Sequence, residues 1–451
     1  MKVYTFRKGG VHAEPAKALT ASLPIRQAPL PRRVILPLAM HTGAPAVPVV
    51  EPKDQVKTGQ LIAEARAQFS APVHASITGR VVALENHIHP LGGELPAIIL
   101  ESGGEDHDEW DPAIRPHLDW RTLPSHTLRQ MIRDAGIVGL GGAAFPTHIK
   151  LTPPEGKGVE ILIINGVECE PYLTADHRLM LERSKQILQG VSILQKILGV
   201  SKTFVAIEDN KPDAIDRMVL ASKEAEDIGQ MAPEVVAVRT KYPQGSEKQL
   251  IEAITKRQVP IGGLPLDVGV VIQNVGTAAA VAEAVIRGVP LIQRVVTVTG
   301  RNIRQPGNFQ VRIGTPVADL IALAGGYWGR ARKIIMGGPM MGVAVFTDQV
   351  PVIKGTSGIL VPHEKEIRAE QPRPCIRCGK CLKVCPMRLL PGRFIDFIEG
   401  KELDEAQKKH IFNCMECGAC TYVCPAHRPI VQWVKFGKAQ IRRKKTQRVQ
   451  K

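Results

Sequence analysis

Cysteine recurs with a single spacing in two runs near the carboxyl end, Cys375-Ile376-Arg377-Cys378-Gly379-Lys380-Cys381-Leu382-Lys383-Val384-Cys385-Pro386 and Cys414-Met415-Glu416-Cys417-Gly418-Ala419-Cys420-Thr421-Tyr422-Val423-Cys424-Pro425. This spacing is the signature of paired [4Fe–4S] clusters, in which the fourth cysteine of each run binds the cluster of the other run. The spacing therefore predicts two cross-ligated sets, one of Cys375, Cys378, Cys381 and Cys424, the other of Cys414, Cys417, Cys420 and Cys385. Such a chain transfers electrons one at a time.

Zinc is the main alternative for these cysteines. Tetrahedral zinc sites usually combine one C-x2-C pair with a distant second pair, and disulfide scaffolds are short and rich in cysteine throughout. Here nine cysteines occur in 451 residues, and Cys169 is the only one outside the two runs. We interpret Cys169 as a small buried side chain rather than a ligand.

The composition indicates a large globular chain. Its 451 residues, 44% of them hydrophobic, suffice for several domains with cores of their own. The first ten residues, MKVYTFRKGG, contain no apolar segment typical of a secretory signal, which predicts a reducing environment for the thiols. The longest uncharged run, residues 34–50, contains three prolines and is too short for a membrane-spanning helix. We therefore expect no transmembrane helix.

The net charge of +16 is concentrated at the two ends of the chain. Residues 1–33 contain seven Lys or Arg and one Glu, and residues 435–451 contain eight Lys or Arg and no acid. Basic ends of this kind suit anionic lipid, acidic partner proteins or nucleic acid. Nucleic acid is the weakest of the three, because only 4% of the residues are aromatic and no zinc-finger motif is present. We expect docking on a membrane surface or on a partner in a complex, with a solvated terminus as the alternative.

The alternation of apolar runs and turn residues predicts a multidomain α/β protein. Short apolar runs between Gly and Pro indicate a small β domain, and an alternating helix and strand pattern indicates an α/β domain with a parallel sheet. In that domain the helical patterns lie near 126–135, 174–198, 211–226 and 245–256, and the strand patterns near 159–164, 203–207, 234–239 and 268–273. The predicted order is a basic segment (1–29), the β domain (30–110), the α/β domain (112–290), a small α+β unit (295–350), a helical double-cluster domain (363–440) and a basic tail (441–451).

A glycine-rich loop opens the α/β domain. Gly139, Gly141 and Gly142 would let backbone amides approach a phosphate closely, and Lys150 would add a positive charge. The spacing matches neither G-x-G-x-x-G nor the P-loop, so a tight structural turn is the alternative.

Three polar motifs follow predicted strands of the same domain. They read Asn165-Gly166-Val167-Glu168-Cys169-Glu170-Pro171, Tyr242-Pro243-Gln244-Gly245-Ser246-Glu247 and Gln273-Asn274-Val275-Gly276-Thr277. Open α/β sheets bind ligands at the carboxyl ends of their strands, although such residues also serve as ordinary helix caps.

In this order the loop and the three motifs resemble the NADH-binding subunit of respiratory complex I, and the resemblance spans about residues 112–350, including a β-grasp unit. Residues 30–102 are similar to the barrel-sandwich fold of biotinyl and lipoyl carriers, although the matching loop, Arg66–Phe69, has no lysine to carry a group. With the two cysteine runs added, the whole chain resembles the RnfC family, a component of the Rnf (also Rsx) ion-translocating electron transport complexes.

This resemblance implies the cofactors and their contacts. It implies FMN held by Gly139, Gly141, Gly142, Asn165, Asn274 and Thr277, and NAD(H) held with the help of Lys150, Glu168, Glu170 and Glu247. It also implies a peripheral oxidoreductase subunit at the cytoplasmic face of the bacterial inner membrane. Such a protein passes electrons between NAD(H) and a ferredoxin-like carrier, touches the other members of its complex, and contributes no catalytic side chain because the cofactors do the chemistry.

Two alternative functions stay open. The chain has Leu140, Ala144, Val167 and Ser246 where complex I has other residues, which leaves open an electron-wiring subunit that has kept the fold but does not bind NAD. A cobalamin reductase has similar flavin and cluster domains, but in that family the barrel-sandwich follows the flavin domain instead of preceding it.

Overall fold

The N-terminal segment joins several domains and does not stand alone. The computed structural model describes residues 2–104, 108–117, 119–227, 231–367 and 371–449. Strand β1 (Val3–Tyr4) extends the sheet of the α/β domain, and β2 (Ile25–Gln27) extends the sheet of the β-grasp domain. Between them, Val11 forms a β-bridge with Tyr242. Part of the predicted basic segment therefore pairs with the sheets of two domains.

The barrel-sandwich domain consists of two antiparallel sheets, ordered β3-β9-β8-β5 and β4-β6-β7. Its strands are β3 (Arg33–Pro37), β4 (Val47–Pro48), β5 (Gln55–Val56), β6 (Leu61–Glu64), β7 (Val73–His74), β8 (Gly79–Ile88) and β9 (Glu94–Ser102). The sequence patterns did not indicate β9, although its Ile98, Ile99 and Leu100 are buried between neighbours. The lysine-free loop Arg66–Phe69 connects β6 and β7.

The α/β domain has a parallel sheet in the order β1-β12-β11-β10-β13. Its remaining strands are β10 (Ile161–Gly166), β11 (Lys202–Glu208), β12 (Glu234–Val238) and β13 (Val270–Asn274), and its helices are α1 (Ser125–Asp134), α2 (Thr147–Lys150), α3 (Ala175–Glu182), α4 (Ser184–Leu198), α5 (Pro212–Asp227), α6 (Glu247–Thr255) and α7 (Val275–Arg287). Leu162, Ile163 and Ile164 of β10 are completely buried on both faces, as expected for a covered parallel sheet.

One predicted helix is wrong in its length. The pattern at 174–198 indicated a single helix, but the chain leaves the helical conformation at Arg183, so that α3 packs against α5 and α4 lies along α7. Gly190 permits this second packing, because a Cβ at that position would lie 1.8 Å from the carbonyl oxygen of Ala278.

The β-grasp domain follows the α/β domain, as in the resemblance to the complex I subunit. Its sheet has the order β17-β16-β18-β14-β15-β2. The elements are β14 (Gln293–Thr299), β15 (Gly307–Arg312), α8 (Val317–Leu323), β16 (Ile334–Met336), β17 (Val343–Val345) and β18 (Gly358–Leu360). Val296, Val298 and Phe309 of the sheet pack against Leu320 of α8 to form the core of this domain.

The cysteine-rich domain is helical, as predicted. It consists of α9 (Lys380–Val384), α10 (Pro391–Glu399), α11 (Leu403–Lys408), α12 (Ala419–Tyr422) and α13 (Ile430–Val449). Phe394, Ile411 and Val434 pack between α10 and α13 and hold the two cysteine runs on one small core. Within the described ranges, no helix is both long and apolar enough to cross a membrane.

Candidate functional site

The predicted FMN residues meet at the carboxyl edge of the parallel sheet. Asn165 is the second-last residue of β10 and pairs in register with Asn274, which ends β13. Asn274 Nδ2 also donates a hydrogen bond to the Asn165 carbonyl oxygen at 3.3 Å. The glycine-rich loop reaches the same edge, because a Cβ at Gly141 would lie 3.1 Å from the Asn274 Cβ.

The glycine-rich loop is fixed on several sides but keeps amides available. Gly139 N–H donates to the Phe145 carbonyl at 2.9 Å, and Leu140 N–H donates to Thr277 Oγ1 at 2.9 Å. In the part of the chain that the structure describes, the amides of Gly141 and Gly142 donate no hydrogen bond. A Cβ at Gly142 would have no atom within 4 Å. Open backbone amides in a preformed loop fit a phosphate group.

Asn274 and Thr277 also have structural roles. Asn274 is the N-cap of α7, and its Oδ1 accepts a hydrogen bond from Gly276 N–H at 2.8 Å. Thr277 is buried and holds the loop through Leu140. The start of α7 thus places both side chains and the positive end of the helix beside the loop, which also favours an anion.

Sequence reasoning missed two charged residues behind this site, the half-buried Asp176 and the buried Arg294. Asp176 Oδ2 accepts a hydrogen bond from Asn274 Nδ2 at 2.6 Å, and burial, with the nearby Glu168 carboxylate, raises the pKa of Asp176 to about 7. Burial lowers the pKa of Arg294 to about 10, and Arg294 donates to the Leu140 carbonyl at 3.3 Å. No motif marks either residue, because Asp176 opens an ordinary helix and Arg294 lies in a strand.

The predicted NAD residues do not form one group. Lys150 forms an ion pair with Glu247 and donates to the Ile272 carbonyl at 3.2 Å. Glu168 instead caps α3, accepting hydrogen bonds from the amides of Asp176 and His177 at 2.8 and 3.3 Å. Of the four predicted NAD residues, Lys150 and Glu247 therefore form an ion pair at the sheet edge. The Glu168 carboxylate instead stabilises the start of α3.

Glu170 lies between the α/β and β-grasp domains. Its half-buried carboxylate accepts hydrogen bonds from the amides of Met340 and Met341 at 3.0 and 2.8 Å. Burial raises the pKa of Glu170 to about 7. The Tyr242 side chain lies beside this carboxylate, and its hydroxyl donates to the Cys417 carbonyl at 2.6 Å. Glu170 thus belongs to a contact chain that leads to the second cysteine run.

The second cysteine run forms a pocket with the last cysteine of the first run. Cys385, Cys414, Cys417 and Cys420 line one small cavity of about 20 Å³, together with apolar residues such as Phe394. Burial, followed by the neighbouring Cys414 and Cys385 thiols, raises the pKa of Cys417 to about 12. These four residues are the predicted ligand set of the second cluster.

The first cysteine run lies nearer to the surface. Cys375 and Cys378 are exposed. Burial raises the pKa of the Cys381 thiol, with further contributions from Cys375 and Cys424. The fourth cysteine of the second run therefore lies near the first run, as the cross-ligated arrangement requires. Cys385 also lies close to Cys381, where the two sets meet.

The surroundings of the cysteines suit iron–sulfur clusters better than one metal ion. Backbone amides of Leu389 and Glu416 point at the sulfur atoms of Cys385 and Cys414, at 3.3 and 3.4 Å, which is a known means of tuning clusters. In the described residues, no three His, Cys, Asp or Glu side chains are grouped so that they could hold one metal ion. Zinc needs its donors about 2.0–2.3 Å from one centre, whereas the thiolates of a cluster bind different irons and stand farther apart.

The barrel-sandwich domain packs on the glycine-rich loop, which the sequence did not indicate. Thr42 Oγ1 donates to the Ala143 carbonyl at 2.7 Å, and Thr42 N–H donates to the Ala144 carbonyl at 3.2 Å. Phe69, from the lysine-free loop, packs on Phe145 with ring centroids 6.1 Å apart. The loop that carries a cofactor in biotinyl and lipoyl domains here supports the candidate flavin loop.

A buried lysine joins three domains beneath the same loop. Lys354 donates to the carbonyl oxygens of Pro72 and Gly136 at 2.7 and 2.8 Å. Burial lowers the pKa of Lys354 to about 7. His74 lies near it, and burial together with the Lys354 charge lowers the pKa of His74 to about 3. These groups fix the orientation of the barrel-sandwich domain relative to the flavin loop.

Family models match four consecutive parts of the chain. They are described as the RnfC barrel sandwich hybrid domain (residues 4–105), the Nuo51 FMN-binding domain (132–283), the SLBB domain (295–344) and a 4Fe-4S dicluster domain (371–427). The predicted fold class is confirmed, and the FMN and iron–sulfur cofactors are confirmed at the level of these domains.

Curated relatives match along nearly the whole chain. The C component of the proton-translocating ferredoxin:NAD(+) oxidoreductase complex of Clostridium ljungdahlii is 48% identical over 96% of this chain and 94% of its own length. The Na(+)-translocating counterpart of Acetobacterium woodii is 44% identical over 96% of both chains. The C component of the ion-translocating oxidoreductase complex of Rhodobacter capsulatus is 43% identical over 98% of this chain and 84% of its own length.

Among solved structures, the chain is similar to an NAD+-reducing [NiFe]-hydrogenase in its H2-reduced state. That likeness has a TM-score of 0.49 and 18% sequence identity, and it covers 70% of this chain and 66% of the other.

Proposed function

The chain belongs to the RnfC family of ion-translocating ferredoxin:NAD(+) oxidoreductase complexes, and from this membership we propose that it transfers electrons between NAD(H) and a ferredoxin-like carrier. In this proposal it works as a peripheral subunit on the cytoplasmic side of the membrane, in contact with the other members of the complex. FMN, when bound, exchanges two electrons with a nicotinamide and single electrons with an iron–sulfur centre.

One observation carries the proposal: the flavin edge and the second cysteine run are parts of one continuous set of contacts. The Asn165 carbonyl accepts a hydrogen bond from Asn274, which lies beside Gly141 of the loop, and Asn165 Nδ2 donates to the Gly245 carbonyl at 2.8 Å. Gly245 follows closely on Tyr242, which binds the Cys417 carbonyl. A rigid path of this kind holds two redox sites at a fixed separation.

Within the site, the residues of the chain bind and orient the cofactors. The amides of Gly141 and Gly142 would receive the FMN phosphate, and Asn165, Asn274 and Thr277 would fix its position. The eight cysteines of the two runs would hold the two clusters. Lys150 and Glu247 would face the dinucleotide, since their ion pair lies at the open sheet edge. Acid–base catalysis by a side chain is not required.

A specific observation favours a second candidate, an electron-wiring subunit without NAD binding. Glu168 and Glu170 are engaged in hydrogen bonds within the fold, and Lys150 and Glu247 neutralise each other. A dinucleotide would have to compete with that ion pair.

Anaerobic titration of the full, cofactor-loaded chain with NADH separates the two candidates. We expect NADH to bleach the flavin absorption and then to reduce the clusters. Glu247→Gln should change the NADH concentration needed for half reduction, while Glu155→Gln, at an exposed position, should leave it unchanged. Reduction by dithionite but not by NADH would reject the proposal in favour of the wiring subunit.

A further inference from the structure

The two cysteine runs differ in their charge environment. Between residues 371 and 393, around the first run, the sequence contains six basic residues and no acid. All six are exposed, and we call them the basic rim: Arg373, Arg377, Lys380, Lys383, Arg388 and Arg393. In the described residues, only Arg393 of the rim forms an ion pair, with Asp396. The rim therefore presents uncompensated positive charge beside the exposed Cys375 and Cys378.

Exposed apolar side chains lie within this rim. Ile376 is 67% exposed, Leu382 is 46% exposed and Leu390 is 43% exposed. Apolar residues surrounded by charged ones are the usual arrangement of a protein interface. Near the second run, by contrast, Lys438 pairs with Glu416, and the surrounding surface is covered by the α/β and β-grasp domains.

We infer that the basic rim is the docking surface for the acidic face of a one-electron carrier protein, an inference that rests on the proposed function. An acidic face complements the five cations of the rim that form no ion pair within the described residues, and charge complementarity of this kind steers association and sets its rate. Electron-transfer encounters use small interfaces, so a patch of this size suffices.

A lipid surface is the less suitable occupant for this face. The exposed cysteines place a predicted cluster at the centre of the rim, and a lipid headgroup cannot accept or supply an electron there. In one encounter the carrier gains one electron and the cluster iron loses one, or the reverse, and no bond forms or breaks. The complementary surface must therefore itself carry a redox centre.

The test compares two one-electron acceptors of opposite charge. The clusters of the full chain are reduced with dithionite, excess reductant is removed, and oxidation by acidic plastocyanin or by basic cytochrome c is followed in a stopped-flow instrument. The rim variant carries Lys380→Gln, Lys383→Gln and Arg388→Gln. The matched control carries Lys223→Gln, Arg330→Gln and Lys333→Gln, three exposed positions in other domains.

At low salt we expect the rim variant to react with plastocyanin at least roughly tenfold more slowly than the unmodified chain. Its rate should also depend less on salt, because the positive charges that attract the acidic protein have been removed. Its rate with cytochrome c should be unchanged or higher, and the control should match the unmodified chain. Iron and sulfide contents, measured on each variant, verify that the clusters remain. If some cluster is lost, the pair Lys383→Gln and Arg388→Gln is compared at equal cluster content.

Equal plastocyanin rates for the rim variant and the unmodified chain would overturn the inference. Binding of each variant to phosphatidylserine vesicles is measured as well. If the rim variant kept its plastocyanin rate but no longer bound these vesicles, the result would assign the rim to lipid instead. The experiment does not use NADH, so a failure of NADH to reduce the flavin would reject the proposed function without affecting this result.

Discussion

The two cysteine runs have one spacing but different surroundings. The second run is enclosed by the α/β and β-grasp domains, where the Tyr242 hydroxyl binds the Cys417 carbonyl. A Cβ at Gly418 would lie 2.7 Å from the Met340 carbonyl, at a φ of +80°, so only glycine permits this close approach. The first run has exposed cysteines and a basic surface.

This difference separates what the spacing determines from what the surroundings determine. The spacing selects the type of cofactor and the crossing of ligands between the runs. Burial, hydrogen bonds and charge then decide which cluster lies next to the flavin domain and which one faces a partner. Cys417 and Cys420 are buried whereas Cys375 and Cys378 are exposed, so we call the cluster predicted for the second run the inner cluster and the cluster predicted for the first run the outer cluster.

The largest expected effect tests the crossing of ligands. Cys385→Ser lies in the first run but should remove the inner cluster, because Cys385 lines the cavity of Cys414, Cys417 and Cys420. We expect loss of one of the two EPR signals and about half of the iron and sulfide, since each cluster holds half of the total. Cys169→Ser, at a cysteine outside both runs, should keep both signals. Loss confined to the outer cluster would show that each run binds only its own cluster.

The second-largest expected effect tests the glycine-rich loop as the FMN site. Gly141→Val should weaken FMN binding, because even a Cβ there would lie 3.1 Å from Asn274 and the added methyl groups would cover the free amides. Overpacking of this kind costs roughly 1–3 kcal/mol, which corresponds to about 5- to 150-fold weaker binding. The measurements are the FMN content per chain after purification and the dissociation constant of FMN.

The matched control for the loop is Gly158→Val. Gly158 is exposed and has no atom within 4 Å of a Cβ, so FMN and cluster contents should be unchanged. Full FMN occupancy in Gly141→Val would exclude the loop as the flavin site.

Sequence patterns predicted the fold class better than they predicted contacts between domains. The cysteine spacing and the apolar strands of the parallel sheet are local signals, and both appear in the structure where they were expected. Lys17 is a contrary case. It was counted as part of a basic end, yet it is half-buried and donates to the Glu168 and Glu170 carbonyls at 2.9 and 3.0 Å. Contacts between distant segments leave no periodic pattern in the sequence.

The same limit applies to the candidate site. Glu168 and Glu170 were predicted to contact NAD from a family motif, and only the three-dimensional contacts show their carboxylates bound within the fold. Thr42 and Phe69 support the glycine-rich loop from a domain some seventy or more residues away in sequence. Their roles depend on how domains pack, which composition and spacing do not encode.

A smaller effect tests how the inner cluster is attached. Tyr242→Phe removes the hydroxyl that donates to the Cys417 carbonyl but keeps the ring. We expect a loss of about 1 kcal/mol in the free energy of unfolding, together with a change in the EPR signal or midpoint potential of the inner cluster only. Tyr422→Phe, at a half-exposed ring, serves as the control. An equal change in both clusters would contradict the proposed separation.

The smallest expected effect concerns the basic tail at the end of α13. The helix continues through these residues, and Ile441 is buried against the core of the cluster domain, so a deletion from 441 would disturb packing as well as charge. Replacement of Arg442, Arg443 and Lys445 by Gln removes charge and keeps the helix. Near an anionic membrane each basic residue contributes roughly 1 kcal/mol, within a Debye length of about 8 Å at physiological salt. The share of the tail variant that is recovered in the membrane fraction at low salt should therefore be lower than that of the unmodified chain, but not zero.

The fall should be partial because other surfaces also hold the chain in its complex, and because some basic residues of the two ends are already bound within the protein. Lys438 pairs with Glu416, and Lys444 pairs with Asp404. Flavin and cluster contents should not change, since none of the proposed ligands lies in the tail. The rim variant, assayed in parallel, should lose electron exchange with the acidic carrier while the tail variant keeps it. Identical membrane recovery of the tail variant and the unmodified chain across a salt titration would show that the tail is a solvated end, and would leave the basic rim as the charged contact surface of this protein.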